Sequence, residues 1–213
     1  MIDKDFYEKG YCVIDDFLDG DNSNNILKKF SDNKNWSRIE QVRNHYEKGG
    51  PFESRSKYMP DNDEIYYYNS WRASEKESSS IIDSFLQDYF LKNIESYFST
   101  KVSCYTTYII KYNEDDFSRV HTDDASRGDV DRVDIGLLYY VSEDWKWDWG
   151  GLLMLATDEK AESMDVVFPK HNRLVLLNTQ LKHPHFVSPI AKYAKNSRFT
   201  LASFIGCENP IKK

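Results

Sequence analysis

The sequence predicts a mainly β fold with buttressing helices, arranged as a two-sheet jelly roll. Apolar residues recur at helical spacing in the first half, short strand-like runs separated by turns follow Val102, and 40% of the residues are hydrophobic. Helices followed by a series of short strands are typical of a sheet pair that helices cover on one side. Because 213 residues fit one such domain, we predict a single domain over residues 1–213. Its helical and loop region is expected at 1–100 and its jelly-roll core at 101–208.

Two helices carry the clearest pattern in the first half. Asp21–Phe30 has apolar residues at helical spacing, and Asp15 or Asp16 could cap its beginning. In Ser80–Phe98 apolar residues recur at steps of three and four, which predicts an apolar stripe that packs on the sheet.

The strand-like runs are bounded by turn residues. Residues 37–63 are polar and are predicted to form a loop. The predicted strands are Tyr11–Ile14, Ile65–Tyr68, Ser103–Tyr112, Val133–Val141, Gly151–Ala156, Met164–Phe168, Arg173–Asn178, His185–Ile190 and Arg198–Ile205.

Composition excludes several classes of protein. The net charge of -7 and the pI of about 5.3 argue against a nucleic-acid partner. No apolar run has the length of a membrane span, and the N-terminus lacks the apolar region of a signal peptide. Cys12, Cys104 and Cys207 are odd in number and far apart, so they predict no disulfide framework. We expect a cytoplasmic protein, and its oligomeric state stays open.

One constellation of residues points to metal chemistry. In His121-Thr-Asp123 the first and third side chains fall on the same side of an extended segment and can bind one ion. A second histidine follows in a later strand, where His183 and His185 share a face and spacing alone cannot separate them. Two imidazoles and one carboxylate with open coordination positions suit non-haem iron(II), whereas a structural zinc ion would need a closed tetrahedral set. Arg198, which opens a strand, is suited to bind a dicarboxylate.

Several segments resemble the prolyl 4-hydroxylase type of Fe(II)/2-oxoglutarate dioxygenase, nearly throughout the chain and most densely from 105 to 206. The resemblance implies a double-stranded β-helix, cupin-like in form. It also implies Fe(II), 2-oxoglutarate as co-substrate and O2, and it allows ascorbate. The segments that carry it are Tyr11–Leu18, Leu138–Trp145 with the following Gly150-Gly151, Phe168–Leu174 and Pro184–Pro189.

The resemblance also implies the metal ligands. Carried over residue by residue, it assigns iron to His121, Asp123 and His185. His185 is chosen over His183 because the family pattern Pro-His-x-Val is met at Pro184–Val187.

The resemblance also implies which residues form the co-substrate pocket. Arg198 is similar to the residue that binds the distal carboxylate of 2-oxoglutarate, and Tyr112 and Tyr140 are similar to tyrosines that line that pocket. Strand alternation places Thr200 on the same side as Arg198, where its hydroxyl could donate to the carboxylate. The predicted catalytic residues are therefore His121, Asp123, His185 and Arg198, and the predicted cofactor-binding residues are Arg198, Tyr112, Tyr140 and Thr200.

The sequence departs from the family in the spacing before Arg198. Arg198 lies thirteen residues after His185, a longer gap than is common in the family. We expect the extra residues, in Ala191–Ser197, to form a hairpin loop that preserves the strand register. Lys192 and Lys195 in this loop remain alternative partners for the carboxylate.

The substrate is the least determined part of the prediction. The resemblance implies a hydroxylase of a prolyl residue in a peptide or protein. A hydroxylase of a free amino acid or another small metabolite is the first alternative, and a non-catalytic jelly-roll binding module is the second. Loops at the barrel mouth are expected to contact the substrate, and the alternating tryptophans of Trp145–Trp149 could line a cleft or cover a sheet edge, with packing favoured. The candidate loop residues are Arg55, Lys57, Tyr58, Tyr66, Tyr68 and Trp71 in 54–72, and Arg127 and Arg132 in 124–132.

Overall fold

The computed structural model describes residues 4–43, 65–74, 81, 85, 89–123, 130–158 and 160–211. The α-helices with described bounds are α1 (Asp5–Glu8), α2 (Gly20–Asp32) and α3 (Leu91–Phe98), and two short 3-10 helices are formed by Trp147–Trp149 and Thr179–Leu181. The strands are β1 (Tyr11–Ile14), β2 (Trp36–Arg43), β3 (Ile65–Ala73), β4 (Val102–Tyr112), β5 (Phe117–His121), β6 (Ile135–Tyr140), β7 (Leu153–Ala156), β8 (Met164–Val167), β9 (Arg173–Asn178), β10 (His185–Val187) and β11 (Arg198–Cys207).

All the described strand pairs are antiparallel, and they form one sheet that curls into two layers. The order along it is β1-β9-β6-β11-β4-β3-β5-β10-β7-β8, with β2 paired to β3. β3 joins the layers, because Trp71 and Arg72 pair with β4 while Tyr68 and Asn69 pair with β5. Apolar side chains of β6 and β9 pack between the layers against those of β7, β8 and β10. The predicted fold class is confirmed.

The main hydrophobic core lies on the other face of the larger layer, under the helices. Successive residues of each strand alternate between the two faces, and most of those that face the helices are apolar. This core combines Phe30 of α2, Phe85 and Ile94 with sheet residues such as Tyr139 and Leu201, all of them buried. The helices therefore support the strands that carry the interior residues. None of the described helices has the length and hydropathy that a membrane span requires.

Several element predictions need correction. The N-cap of α2 is Asp19, whose side chain accepts a hydrogen bond from the Asn22 N–H, while Asp15 pairs with Arg173 instead. Residues 37–43, which lie in the predicted loop 37–63, belong to β2, because β2 pairs along its length with β3. Local composition does not show such a long-range contact. In the predicted helix Ser80–Phe98, Ile81 and Phe85 are helical and α3 begins at Leu91.

The segment before Arg198 is not a hairpin loop, contrary to the prediction. β10 pairs with β5 and β7, whereas β11 pairs with β4 and β6. Residues 191–197 therefore cross from one layer to the other. The longer gap after His185 is accommodated in this crossover and leaves the register of β11 intact.

Candidate active site

His121, Asp123 and His185 lie together, as the sequence predicts. Their ligand atoms are all within 4.8 Å of one another. His185 Nε2 lies 3.1 Å from Asp123 Oδ2, and His121 Nε2 lies 3.6 Å from Asp123 Oδ1. Asp123 and His185 are each 6% exposed. Among the described residues, this is the one group of three or more such side chains that could hold a metal ion.

The pairing of β5 with β10 produces this cluster. His185 is directly opposite His121 in the ladder, and the ring centroids are 4.3 Å apart. The Nδ1 of His121 lies 2.7 Å from the carbonyl oxygen of Arg119, which orients the ring so that Nε2 faces Asp123. A ligating histidine whose other nitrogen is held by a carbonyl is the usual arrangement around a metal ion. The donor set, two imidazoles and one carboxylate, fits iron(II) with open positions.

His183, the alternative that spacing left open, lies outside this cluster. Its Nδ1 is 3.1 Å from the carbonyl oxygen of Lys9. The ring packs on Gly10, where an added Cβ would lie 2.7 Å from His183 Nδ1. His183 is therefore used in the contact between the β9–β10 connection and the start of β1.

Arg198 is buried between the layers and is 1% exposed. Its Nη1 donates a 2.8 Å hydrogen bond to Thr200 Oγ1, and its Cζ lies 5.0 Å and 4.8 Å from the ring centroids of Tyr112 and Tyr140. Across the interior, Gly151 approaches the Cδ of Arg198 so closely that an added Cβ would lie 2.9 Å from it. The four predicted pocket residues thus form one cluster.

The cluster presents unused donors to an anion. Among the described residues, Arg198 Nε and the Tyr140 hydroxyl have no hydrogen-bond partner of good geometry. Burial raises the pKa of Tyr140, and the nearby Arg198 acts in the opposite direction. The hydroxyl is therefore protonated at neutral pH and can donate. A buried guanidinium without a carboxylate partner is costly, so these residues fit the distal carboxylate of 2-oxoglutarate.

The two lysines considered as alternatives to Arg198 lie on the surface. Lys192 is exposed and its Nζ is 3.5 Å from Asp115 Oδ2, and Lys195 is exposed as well. Neither contributes to the buried pocket.

The alternating tryptophans of Trp145–Trp149 differ in burial. Trp145 and Trp149 are buried and contact each other edge to face, with ring centroids 5.2 Å apart. Trp147 is 75% exposed and stacks on Phe168. The packing interpretation therefore holds for Trp145 and Trp149.

The residues predicted to contact the substrate either make other contacts or have side chains outside the part of the chain that the structure describes. Trp71 contacts Arg38 and Lys111, and Arg132 is bonded to Asp134 and to the Cys207 carbonyl. Arg55, Lys57, Tyr58 and Arg127 lie outside the described residues, and Tyr66 and Tyr68 are described as backbone of β3.

Three residues that contact one another on the interior face of the larger layer were not predicted: Arg72 on β3, Tyr108 on β4 and Phe204 on β11. Alternation from Arg198 along β11 could have indicated Phe204, and the β4 alternation through Tyr112 could have indicated Tyr108. No local signal separates Arg72 from the other residues of its polar stretch.

Comparison with known proteins agrees with this site. Residues 107–206 match the 2OG-Fe(II) oxygenase superfamily. A prolyl-4-hydroxylase from Pseudomonas putida has a TM-score of 0.64 at 17% identity, covering 95% of each chain. A prolyl hydroxylase from Trichoplax adhaerens, solved with a hypoxia inducible factor peptide fragment, has a TM-score of 0.59 at 21% identity, covering 94% of this chain and 86% of that one.

A third similar structure has a small molecule bound. HygX from Streptomyces hygroscopicus, solved with nickel, 2-oxoglutarate and hygromycin B, has a TM-score of 0.60 at 10% identity, covering 98% of this chain and 87% of that one. No curated protein matches the sequence significantly.

Residues 107–206 of this chain match a 2OG-Fe(II) oxygenase domain, and the resemblance in fold to the prolyl 4-hydroxylases is confirmed. The protein is an Fe(II)/2-oxoglutarate-dependent dioxygenase, and its cofactors are Fe(II), 2-oxoglutarate and O2. A hydroxylase is the function that these findings support, and the non-catalytic binding module is set aside.

Proposed function

We propose that this hydroxylase acts on a prolyl residue in a peptide or protein. Iron(II) is bound by His121, Asp123 and His185, and the distal carboxylate of 2-oxoglutarate is bound by Arg198. The observation that carries the proposed pocket is the buried Arg198 guanidinium, whose Nε has no good hydrogen-bond partner among the described residues.

When bound, iron(II), 2-oxoglutarate and O2 together supply the oxidising chemistry, with succinate and carbon dioxide as the products of the co-substrate. The protein orients the reactants and excludes water. Arg198 fixes the distal carboxylate, and the protonated Tyr140 hydroxyl donates a further hydrogen bond to it. Apolar neighbours of this pocket, Ile110, Trp145 and Ile190, are buried and keep solvent away from the guanidinium. In such a water-poor site the charged hydrogen bonds are strong.

The prolyl substrate is supported by similarity alone. Both similar prolyl hydroxylases span nearly the whole chain, and one of them was solved with a peptide. HygX, solved with hygromycin B, supports a small-molecule substrate as the second candidate. The two candidates differ in the molecule that gains an oxygen atom.

The test is oxygen insertion followed by mass spectrometry. Purified enzyme with iron(II) and 2-oxoglutarate is incubated with a library of peptides that each contain one proline, and separately with a metabolite extract. A gain of 16 mass units on proline, absent from Asp123→Ala, is expected. If a metabolite gains the oxygen while every peptide stays unchanged, the prolyl proposal is wrong and the small-molecule candidate replaces it.

A further inference from the structure

Arg72 lies in the same transverse row of the sheet as two residues of the co-substrate pocket. Thr200 pairs with Tyr140 on one side and with Ile110 on the other, and Ile110 pairs with Arg72. Paired residues of antiparallel strands point to the same face, so Arg72 shares the interior face with Thr200. Because neighbouring strands are about 4.8 Å apart, the Cα atoms of Arg72 and Thr200 are roughly 10 Å apart. That separation suits a group that contacts the substrate beside the co-substrate.

The Arg72 side chain is directed along this face and away from Arg198. Its Cζ lies 4.2 Å from the ring centroid of Tyr108, which is two residues before Ile110 on β4. Tyr108 contacts Phe204 edge to face, with centroids 6.0 Å apart. Both rings are partly exposed, unlike Tyr112 and most of the interior residues near Arg198. The interior wall therefore presents two accessible aromatic rings with a guanidinium lying on one of them.

This arrangement suits a particular chemical group. A guanidinium that stacks on a ring uses its flat face for the aromatic contact and keeps its N–H donors in plane for an acceptor. Apolar rings such as pyrrolidine pack well on aromatic side chains. A prolyl residue in a peptide has both parts, an apolar ring and an adjacent carbonyl oxygen.

We propose that Arg72 determines specificity by binding a main-chain carbonyl oxygen next to the target proline, while Tyr108 and Phe204 pack against the pyrrolidine ring. This inference rests on the proposed prolyl function. It assigns Arg72 to the substrate and leaves the co-substrate to Arg198.

Lys111 provides a matched control on the opposite face of the same strand pair. It is paired with Trp71 in the register position next to Arg72, and its Nζ lies 4.7 Å and 5.1 Å from the ring centroids of Trp36 and Trp71. Lys111→Gln therefore removes a cation–aromatic contact of β3 and β4 without touching the interior wall.

The experiment compares Arg72→Gln, Arg72→Lys and Lys111→Gln with the unmodified enzyme. Blocked peptides that contain one proline are the probe, and two rates are measured: peptide hydroxylation and the succinate formation that occurs without peptide. We expect Arg72→Gln to lower kcat/KM for the peptide at least tenfold, mainly through KM, and Arg72→Lys to recover part of the loss. Succinate formation without peptide should stay within twofold in all three variants.

Three other results would overturn the inference. If peptides are hydroxylated equally well by Arg72→Gln and the unmodified enzyme, Arg72 has no substrate role, although the prolyl function stands. If Arg72→Gln and Lys111→Gln lose peptide hydroxylation and succinate formation in parallel, the role of Arg72 is structural. If the unmodified enzyme hydroxylates none of the peptides, the prolyl function itself fails and the role of Arg72 fails with it.

Discussion

Arg198 and Thr200 are joined by a 2.8 Å hydrogen bond from Nη1 to Oγ1, and both lie on the interior face of β11. The bond holds the guanidinium in one orientation between two tyrosine rings while other donors of the five that arginine carries remain available. The pocket is thus ordered before an anion arrives, which lowers the entropic cost of binding.

Replacing Arg198 should weaken 2-oxoglutarate binding. Removing one partner of a buried ion pair costs about 3–5 kcal/mol, so Arg198→Met should raise the KM for 2-oxoglutarate by roughly 10² or more. Arg198→Lys keeps the charge but loses the planar fork, and we expect an intermediate KM. The measurement is succinate formation as a function of 2-oxoglutarate concentration.

Lys192→Ala is the control for the Arg198 variants, because Lys192 is exposed and was an alternative partner for the carboxylate. It should leave the KM for 2-oxoglutarate unchanged. An Arg198→Met enzyme with an ordinary KM, or a Lys192→Ala enzyme with a raised one, would move the carboxylate site elsewhere.

Tyr140→Phe should weaken co-substrate binding without lowering the stability of the free protein. The Tyr140 hydroxyl is buried without a good partner among the described residues, and a buried polar group of this kind destabilises the protein. We therefore expect the Tm without ligand to stay level or to rise. The increase in Tm that 2-oxoglutarate and manganese(II) produce should become smaller, because the hydroxyl no longer donates to the carboxylate.

The adjacent tyrosine is a matched control with the opposite expectation. Tyr139 faces the helices and donates a 2.8 Å hydrogen bond to Asn172 Oδ1. Tyr139→Phe should lower the Tm without ligand by breaking this bond and leave the ligand-induced increase intact. An unchanged 2-oxoglutarate response in Tyr140→Phe would remove its hydroxyl from the carboxylate site.

The parts of the site that sequence could predict are those that depend on local periodicity. Alternation along β11 placed Thr200 beside Arg198, and the two-residue spacing of His121 and Asp123 placed both on one side of the chain. Spacing could not choose between His183 and His185, because the choice depends on a long-range contact: His183 packs on Gly10. The family resemblance made that choice.

Long-range strand pairing also explains which features of the fold could not be predicted from the sequence. β2 has no clear strand pattern and forms through its partner β3, and Arg72 reaches the interior only because β3 pairs with both β4 and β5. The crossover before Arg198 has the composition of a hairpin loop, yet its flanking strands find partners in different layers. Partners distant in sequence cannot be read from local composition.

Asp123→Ala should remove metal binding while the fold remains. The carboxylate bridges the two histidines, with oxygens 3.6 Å and 3.1 Å from their Nε2 atoms, and it supplies the negative charge among the three proposed ligands. We expect the Kd for manganese(II) to rise by at least about 100-fold, measured by calorimetry, and succinate formation to cease. Asp115→Asn, at an exposed carboxylate of the β4–β5 connection, should bind manganese(II) normally. Normal binding by Asp123→Ala would exclude this carboxylate as a ligand.

Gly151→Ala should disturb Arg198 through contact from the opposite layer. The backbone φ of Gly151 is +63°, which an alanine adopts with strain, and the added Cβ would lie 2.9 Å from Arg198 Cδ. Because the guanidinium is packed between two rings and bonded to Thr200, a displacement of Cδ would disturb both contacts. We expect a loss of about 1–3 kcal/mol in the free energy of unfolding together with a several-fold rise in the KM for 2-oxoglutarate. Gly20→Ala, where nothing lies within 4 Å of the added Cβ and the backbone is helical, should not lower the free energy of unfolding and should leave the KM for 2-oxoglutarate unchanged. A Gly151→Ala enzyme that loses stability but keeps its KM would show that the position of Arg198 does not depend on this glycine.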